Sequence, residues 1–534
     1  MLVPSNARCG ERLLWLLLAV LACAAMLALT AHIALRLGYR YDLEWMEGAM
    51  VDHAERARTF TGIYTAPCAE HVPFLYTPML FWLGALVSSV TLTGPLALRL
   101  VSVLAFVGCA VLIYCFVRRE VPGANRKLAA LCAAGLFCAG YGFLRSWYDL
   151  ARNDTLFLLG MLATGWLLRF GGRREAMIAG VTAAFAFLSK QSALLWLPAL
   201  GVGLLAVDWR RALVFAASCG LVIGGTALAL HIATDGWFTF YVFEMPQYHG
   251  WQGEYKLKFF TSDLVPIAPL MALSITACAQ RWRLHRGQAL QLAALFGGAL
   301  LTSYLSRLHV GGFDNVMMPV LAIGCMLAPI AAANARSASI RIALLLVLCA
   351  QFALLTLDVR AALEPDRAVL MGFGPQFLPT TENQRANEEL VAAVAQLDGP
   401  VFMPFHGNLA ALAGKPRMAH AQAIHDLLSA LPRSANGTLD ILAIADPARL
   451  ATVSPHARTA LTSFYGSVHE ALSQKKFAAV VLDQPLGPVF ESLFAAALTG
   501  NYERQGGELL SKPTASQPAV GMVTHSPYFL LRKK

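Results

Sequence analysis

Long uninterrupted apolar stretches constrain this chain more than any other feature. They fall at about 13–36, 97–117, 127–144, 154–170, 212–232, 262–280, 287–305, 314–333 and 341–357. A helix needs about 20 apolar residues to cross a bilayer core, where no water can satisfy a bare backbone. Some of these stretches reach that length only with their flanks. The composition agrees. Of 534 residues, 57% are hydrophobic and 14% charged, against about 25% charged in soluble domains. Mean hydropathy is +0.55. A soluble enzyme, a fibrous chain and a disordered chain are excluded, and a polytopic α-helical membrane protein remains.

Two stretches are ambiguous. Residues 75–93 are interrupted by Thr77-Pro78 and end in polar SSVTLTG, and residues 176–207 are too long for one span and carry Lys190-Gln191 in the middle. Loop charge decides both, because Lys and Arg collect on the cytoplasmic side. With 75–93 lying at the interface and 176–207 broken into two helices at Lys190, five basic loops share one face. They hold Arg118/Arg119/Arg126/Lys127, Arg169/Arg173/Arg174, Arg210/Arg211, Arg281/Arg283/Arg286 and Arg336/Arg341. The expected topology has about eleven spans, a cytoplasmic N-terminus and an extracytoplasmic C-terminus. The run from Leu13 is too long for a signal-peptide core and has no clean cleavage site, so it reads as a retained first helix.

The net charge of +10 fits cytoplasmic loops and lipid headgroups. No basic run long enough for nucleic acid is present. Most of the eleven cysteines lie in apolar spans and none follows Cys349, which excludes a disulfide framework for the tail. Residues 358–534 are long enough to fold alone. Expected helices at Glu388–Leu397, Ala460–Gln474 and near Pro488–Leu498 alternate with strands at Pro400–Met403 and Ala478–Leu482, the pattern of an α/β layer. The expected division is a membrane domain over 1–357, with a first outer loop at 37–96, and a soluble α/β domain over 358–534.

Several outer segments carry residues suited to chemistry. The first loop opens Tyr41-Asp42-Leu43-Glu44-Trp45-Met46-Glu47-Gly48. If 44–60 is helical, Glu44 and Glu47 share a face. Carboxylates near an apolar boundary lose solvation, which raises their pKa and makes them usable bases; they equally suit a divalent cation, and acids are also ordinary in a solvated interfacial loop. A second turn, Arg145-Ser146-Trp147-Tyr148-Asp149-Leu150-Ala151-Arg152-Asn153-Asp154, places two Asp and two Arg at a membrane-helix end. Charges there are costly and mark sites, although Asn153 or Asp154 at the start of 154–170 is also a normal helix cap. Lys190 has no acid nearby in sequence. A lone lysine at a helix break suits a phosphate, or snorkels to headgroups. The loop 233–261 is aromatic and holds Glu244, His249, Glu254, Lys256 and Lys258; Arg307, His309 and Asp314-Asn315 lie in another outer turn. The tail histidines, among them His406, His420, His425 and His456, sit in no HExxH, CxxC or GxSxG motif and read as structural or surface residues.

An acidic motif after the first helix, a Tyr76-Thr77-Pro78 segment ending the first loop, an Arg-x-Asp turn at Arg152–Asp154 and a helix pair broken at Leu188-Ser189-Lys190-Gln191 together resemble the GT-C superfamily of integral-membrane glycosyltransferases. The likeness is nearest to bacterial protein O-mannosyltransferase-like and lipid A aminoarabinose transferase-like enzymes, over roughly residues 12–320. The resemblance implies transfer of a sugar from a polyprenyl-phosphate carrier to a lipid, glycan or protein acceptor on the outer face of a bacterial inner membrane. It implies a base or metal ligand among Asp42, Glu44 and Glu47, and a second acid at Asp154 or, as the weaker choice, Asp149. The carrier phosphate would meet Lys190, assisted by Arg152 or Arg307, with His249 a further candidate for the donor. The family often has an adjacent Asp-Glu pair; here the acids are spread as D-L-E-W-M-E. A divalent cation, Mg²⁺ or Mn²⁺, is permitted on Asp42, Glu44 and Asp154 but not required.

Two other classes stay open at this point. A transporter or flippase of envelope lipids or glycans would carry charges deep in its spans and two mirrored halves, and neither is evident. A non-catalytic envelope assembly protein would use the tail for binding.

Overall fold

The computed structural model describes residues 5–90, 93–357, 372–434, 436–483, 488–504, 513–521 and 529–534. They form two compact units. One comprises Met1–Leu37, Leu100–Thr226 and Trp251–Leu378; the other comprises Gly38–Arg99, Ala227–Gly250 and Pro379–Lys534.

The first unit is helical. Each apolar stretch read from the sequence contains a helix, and the 176–207 stretch is two: Arg173–Ser189 and Ala193–Leu205, broken at Lys190. Lys190 is extended there, with φ −157° and ψ 126°. Spanning length is rarer than the eleven expected crossings. Among the described residues, six helices are long and apolar enough to cross: Cys9–Leu37, Pro95–Glu120, Trp209–Ala233, Arg286–Leu308, Asp314–Ala333 and Ala338–Thr356. A pair bent by 41°, Tyr255–Asp263 and Val265–Trp282, makes a seventh if counted as one span. The protein is therefore a multi-pass membrane protein. The difference has a local cause. The stretch 127–144 is apolar after Lys127, yet its helix stops at Ala139 and passes through Gly140 into an irregular segment. Apolarity alone does not distinguish a helix from a buried turn.

Burial separates the helices by role. Met318–Ala333 is buried nearly throughout and forms the core of the unit. Trp209–Ala233 buries almost none of its apolar window and exposes Leu213, Leu221 and Leu228, as a lipid-facing helix must. Small residues let backbones approach where there is no hydrophobic drive between helices. A Cβ on Gly135 would lie 2.2 Å from the Ala22 Cβ, so the helices Ser5–Leu37 and Arg126–Ala139 pack with a glycine between them.

The second unit carries the sheet. β1 (Val401–Phe402) and β2 (Ala479–Leu482) are parallel neighbours; β4 (Phe529–Lys533) runs antiparallel between β2 and β3 (Tyr502–Arg504). Register pairs Val401 with Ala479 and Val480 with Leu531. Helices Thr381–Ala395 and Pro455–Ser473 begin at Thr380 and Ser454, whose side chains accept from Asn383 and Ala457 amides at 3.1 Å. Leu390, Val394, Val401, Met403, Val481 and Leu530 share one apolar core with Tyr41. The first loop belongs to this unit through more than Tyr41. Its helix Glu47–Arg58 packs on Gly407–Leu412, and the Ala69 carbonyl accepts from the Ala419 amide at 2.9 Å. The chain leaving β1 carries His406 and Asn408, and Asp483 follows β2 directly. Because the two strands are parallel, both departures lie at carboxyl ends of adjacent strands, where α/β sheets bind ligands.

Candidate active site

In the helical unit the chemistry gathers on Asp154. Its helix, Asp154–Phe170, has Asn153 at the cap position, but the Asn153 side chain makes no cap bond. Asn153 Nδ2 donates instead to the Ser189 carbonyl at 2.7 Å, which ties this helix start to the residue before Lys190. The expected cap is thus given up for a tie between two helix ends. Lys190 Nζ then donates to Asp154 Oδ1 at 2.6 Å. Asn315 Nδ2 donates to the same oxygen at 2.9 Å, and Trp147 Nε1 to Oδ2 at 2.9 Å. Lys190 is 17% exposed and Asp154 4%. The lysine that had no acid nearby in sequence has one 36 residues upstream.

An ammonium has three donors, and Asp154 uses one. Around Lys190 lies a small cleft lined by Asp154, Ser192, Thr302, Ser306 and Asn315. Thr302 Oγ1 and Asn315 Oδ1 are buried there without a hydrogen-bond partner among the described residues. A cation beside several hydroxyls is chemistry that receives an oxyanion.

The other expected residues of this unit are engaged elsewhere. Asp149 is bidentate with Arg36 at 2.7 and 2.9 Å, both side chains fully buried, and Tyr141 donates to it at 3.2 Å. Arg307 is bidentate with Asp263 at 2.8 and 3.1 Å and lies 3.5 Å from Asp314, over the Tyr255 ring. Its charge is matched by two carboxylates. The Arg152 guanidinium lies 5.6 Å from the Trp147 ring centre, on the residue that bonds Asp154.

In the second unit the three first-loop acids differ sharply. The helix expected over 44–60 begins at Glu47, so Glu44 precedes it and does not share its face. Glu44 Oε2 accepts from the Met46 amide at 3.3 Å. Glu47 Oε2 accepts from the Leu43 amide at 2.7 Å, closing the turn before the helix. Glu47 is also fully buried against Arg99, with contacts of 2.5 and 3.0 Å, and Arg99 further donates to the Tyr39 and Tyr41 carbonyls. Glu47 is therefore a neutralised structural acid.

Asp42 is different. The residue is partly exposed, yet its Oδ1 is sealed and has no hydrogen-bond partner among the described residues. Burial, then the Glu47 carboxylate, push its pKa up to about 8, against the pull of His406 and Arg99. Asp52 is raised to about 6 by burial, which Arg417 opposes through an ion pair. His249 Nε2 lies 3.2 Å from Asp426 Oδ1.

His406, read as structural or surface, is buried and its Nε2 meets Asp483 Oδ2 at 2.6 Å. Burial opposes its protonation, but Asp483, through charge and hydrogen bond, and then Asp42 raise its pKa. The usable signal was positional: Asp483 directly follows one expected strand, and His406 lies three residues past the other.

A divalent cation needs several oxygen ligands around one point. Among the described residues no three His, Cys, Asp or Glu side chains converge in that way, and Glu47 is already spent on Arg99. These described residues do not fit a metal cage.

The sequence profile of the family described as dolichyl-phosphate-mannose-protein mannosyltransferase matches residues 72–237. Among curated proteins, none matches the chain by sequence. Among solved structures, the chain is similar to ArnT from Cupriavidus metallidurans bound to undecaprenyl phosphate, with TM-score 0.59, 12% identity, and coverage of 97% of this chain and 98% of that one. The apo form of the same protein gives TM-score 0.56 and 14% identity, with 97% of each chain covered. The oligosaccharyltransferase AglB from Archaeoglobus fulgidus gives TM-score 0.48 and 12% identity over 92% of this chain and 71% of that one. The chain thus shares the fold of ArnT over nearly its whole length, and the mannosyltransferase family profile matches its residues 72–237.

Proposed function

We propose that this protein is a glycosyltransferase. It moves a sugar, a hexose or a pentose, from a polyprenyl-phosphate carrier to a lipid, glycan or protein acceptor on the outer face of a bacterial inner membrane. The observation that carries the reading is Lys190, held by Asp154 at a helix break with donors to spare, beside a small cleft that the Ser192, Thr302 and Ser306 hydroxyls share with Phe157, Val316, Met318 and Pro319. A solved protein of the same fold binds undecaprenyl phosphate, which supports a carrier of that class here.

The residues take distinct roles. Displacement at the anomeric carbon needs a base on the acceptor hydroxyl and a stabilised leaving phosphate. By the resemblance read from the sequence the base is a first-loop acid, and within the second unit Asp42, whose pKa is raised toward neutrality, is the acid suited to that role. The acceptor oxygen bonds to the anomeric carbon as the bond to the carrier phosphate breaks. The electron pair leaves with that phosphate, and Lys190 stabilises its charge. Asp154 holds the lysine in place, and Asn315 and Trp147 in turn hold Asp154. Arg152 remains a candidate for a second phosphate contact, while Asp149, Glu47 and Arg307 serve as buried counterions.

The test compares envelope glycans, by mass spectrometry, from cells lacking the gene and from cells carrying wild type, Asp42→Asn or Lys190→Met. A glycan lost without the gene, restored by wild type and by neither variant at equal membrane level, is the expected result. Unchanged glycans in the deletion would end the proposal.

A further inference from the structure

We infer that the helical unit carries a binding site for an anionic phospholipid, on the face that loop charge assigns to the cytoplasm. The site shares no residue with the Asp154–Lys190 cleft and does not depend on the transferase reading.

Helix ends build it. Pro95–Glu120, Ala268–Trp282 and Met318–Ala333 all finish at one cavity of about 660 Å³, and Ala338–Thr356 starts beside it. That volume is the size of an ordinary ligand pocket. Its polar wall holds Arg119, Arg281, Arg283 and Arg336, and Glu120 is the only acid among its described lining residues.

Glu120 is already spent. It is 7% exposed, and its two oxygens meet Arg281 at 2.5 Å and Arg169 at 2.6 Å. Arg119 lies 4.6 Å from the Phe170 ring centre, which steadies the guanidinium without neutralising it. Arg119, Arg283 and Arg336 are exposed and have no carboxylate partner among the described residues. Cytoplasmic arginines in general need only solvent and headgroups. Here three separate chain segments bring theirs to one concave wall between membrane helices, the arrangement that holds an anionic headgroup.

The charges select the ligand. An arginine fork matches the oxygens of a phosphate. With its one carboxylate spent, the wall offers nothing to the ammonium of a zwitterionic headgroup and repels it. A phosphodiester that carries an uncharged polyol, as in phosphatidylglycerol, presents only the charge the wall can match. Asn334 on the same wall suits its hydroxyls.

The apolar wall argues that the phosphate belongs to a lipid. Ile275 and Ile340 line the cavity and are 61% and 53% exposed. Ile275 sits about two turns deeper into the span than Arg283. Trp282, 46% exposed at the end of the same helix, marks the headgroup level. A soluble phosphate would leave that wall bare, whereas a phospholipid lays an acyl chain on it.

The test is native mass spectrometry of the purified full-length protein, released from nanodiscs of equal phosphatidylglycerol and phosphatidylcholine with matched acyl chains. Wild type is expected to retain one phosphatidylglycerol about tenfold or more over phosphatidylcholine. Each arginine near a headgroup contributes about fivefold, so Arg283→Gln/Arg336→Gln should bring the ratio close to one. Either single variant, with about a fivefold loss, serves if the double variant does not fold. Arg173→Gln/Arg174→Gln removes the same charge from a loop that does not line the cavity and should leave the ratio unchanged. Equal retention of the two lipids by wild type would overturn the inference. So would an equal loss in both double variants, which would show general surface attraction. Glycerol 1-phosphate added to pure phosphatidylcholine nanodiscs should leave the melting temperature unmoved; a rise matching that from phosphatidylglycerol would assign the cavity to a soluble phosphate and end the lipid reading.

Discussion

Lys190→Met separates a phosphate ligand from a mere counterion. The substitution keeps the length of the side chain and removes its charge. Asp154 keeps its bonds from Asn315 and Trp147 at 2.9 Å but loses its countercharge. Breaking a buried pair by removing one partner costs about 3–5 kcal/mol; with Lys190 17% exposed, the low end, about 3 kcal/mol, applies. The double variant Asp154→Asn/Lys190→Met has no buried charge and regains most of that stability. Activity behaves otherwise if Lys190 meets the carrier phosphate. A hydrogen bond to a charged group contributes about 1.5–3 kcal/mol, so kcat/KM for the lipid donor falls roughly 10- to 100-fold in the single and the double variant alike. The assay is transfer from undecaprenyl-phosphate-linked sugar in nanodiscs, followed by mass spectrometry, beside thermal melts of each variant. A double variant that regains both stability and transfer would show Lys190 to be a counterion only, and the phosphate role would fall.

Three further outcomes follow from the second unit. With Asp42 as base and its pKa near 8, the carboxylate fraction falls below that pH. kcat/KM should then rise about tenfold per pH unit from 6 toward 8 and level above; a flat profile between pH 6 and 9 would exclude it as the base. Glu47→Gln strands Arg99, whose charge is fully buried, and should cost about 3 kcal/mol or more, seen as a lower melting temperature; an unchanged melt would mean that water reaches the pair. His53 is neutral, since its Nδ1 donates to the Ala49 carbonyl and its Nε2 accepts from the Phe74 amide, and burial lowers its pKa to about 4. The unfolded chain takes that proton near 6.5, so this stability is whole above 6.5 and is lost as pH falls toward 4. The loss reaches at most about 3 kcal/mol, and amide exchange across Glu47–Arg58 should quicken accordingly; pH-independent exchange there would contradict the assignment.

What the sequence alone determined is local. Apolar runs specify where helices form, because an unpaired backbone is prohibitive in hydrocarbon. A lysine in a 32-residue run breaks the helix at Lys190. Alternation in the tail, with buried AVVL at β2, announced an α/β layer. The choice of Asp42, Asp154 and Lys190 as notable charges also needed only their positions beside apolar stretches.

The tertiary structure alone decided which of those charges remain available. Lys190 meets Asp154 across 36 residues, Arg99 meets Glu47 across 52, His406 meets Asp483 across 77, and Arg36 meets Asp149 across 113. A sequence places acids and bases but does not state their partners, and partnership governs chemistry. A charge matched at 2.5–2.9 Å in a dry interior is spent, while one with donors or lone pairs left over can act. By sequence Glu47 stood level with Asp42 among the first-loop acids, and Asp149 was a weaker choice behind Asp154. Only their folding against arginines separates them.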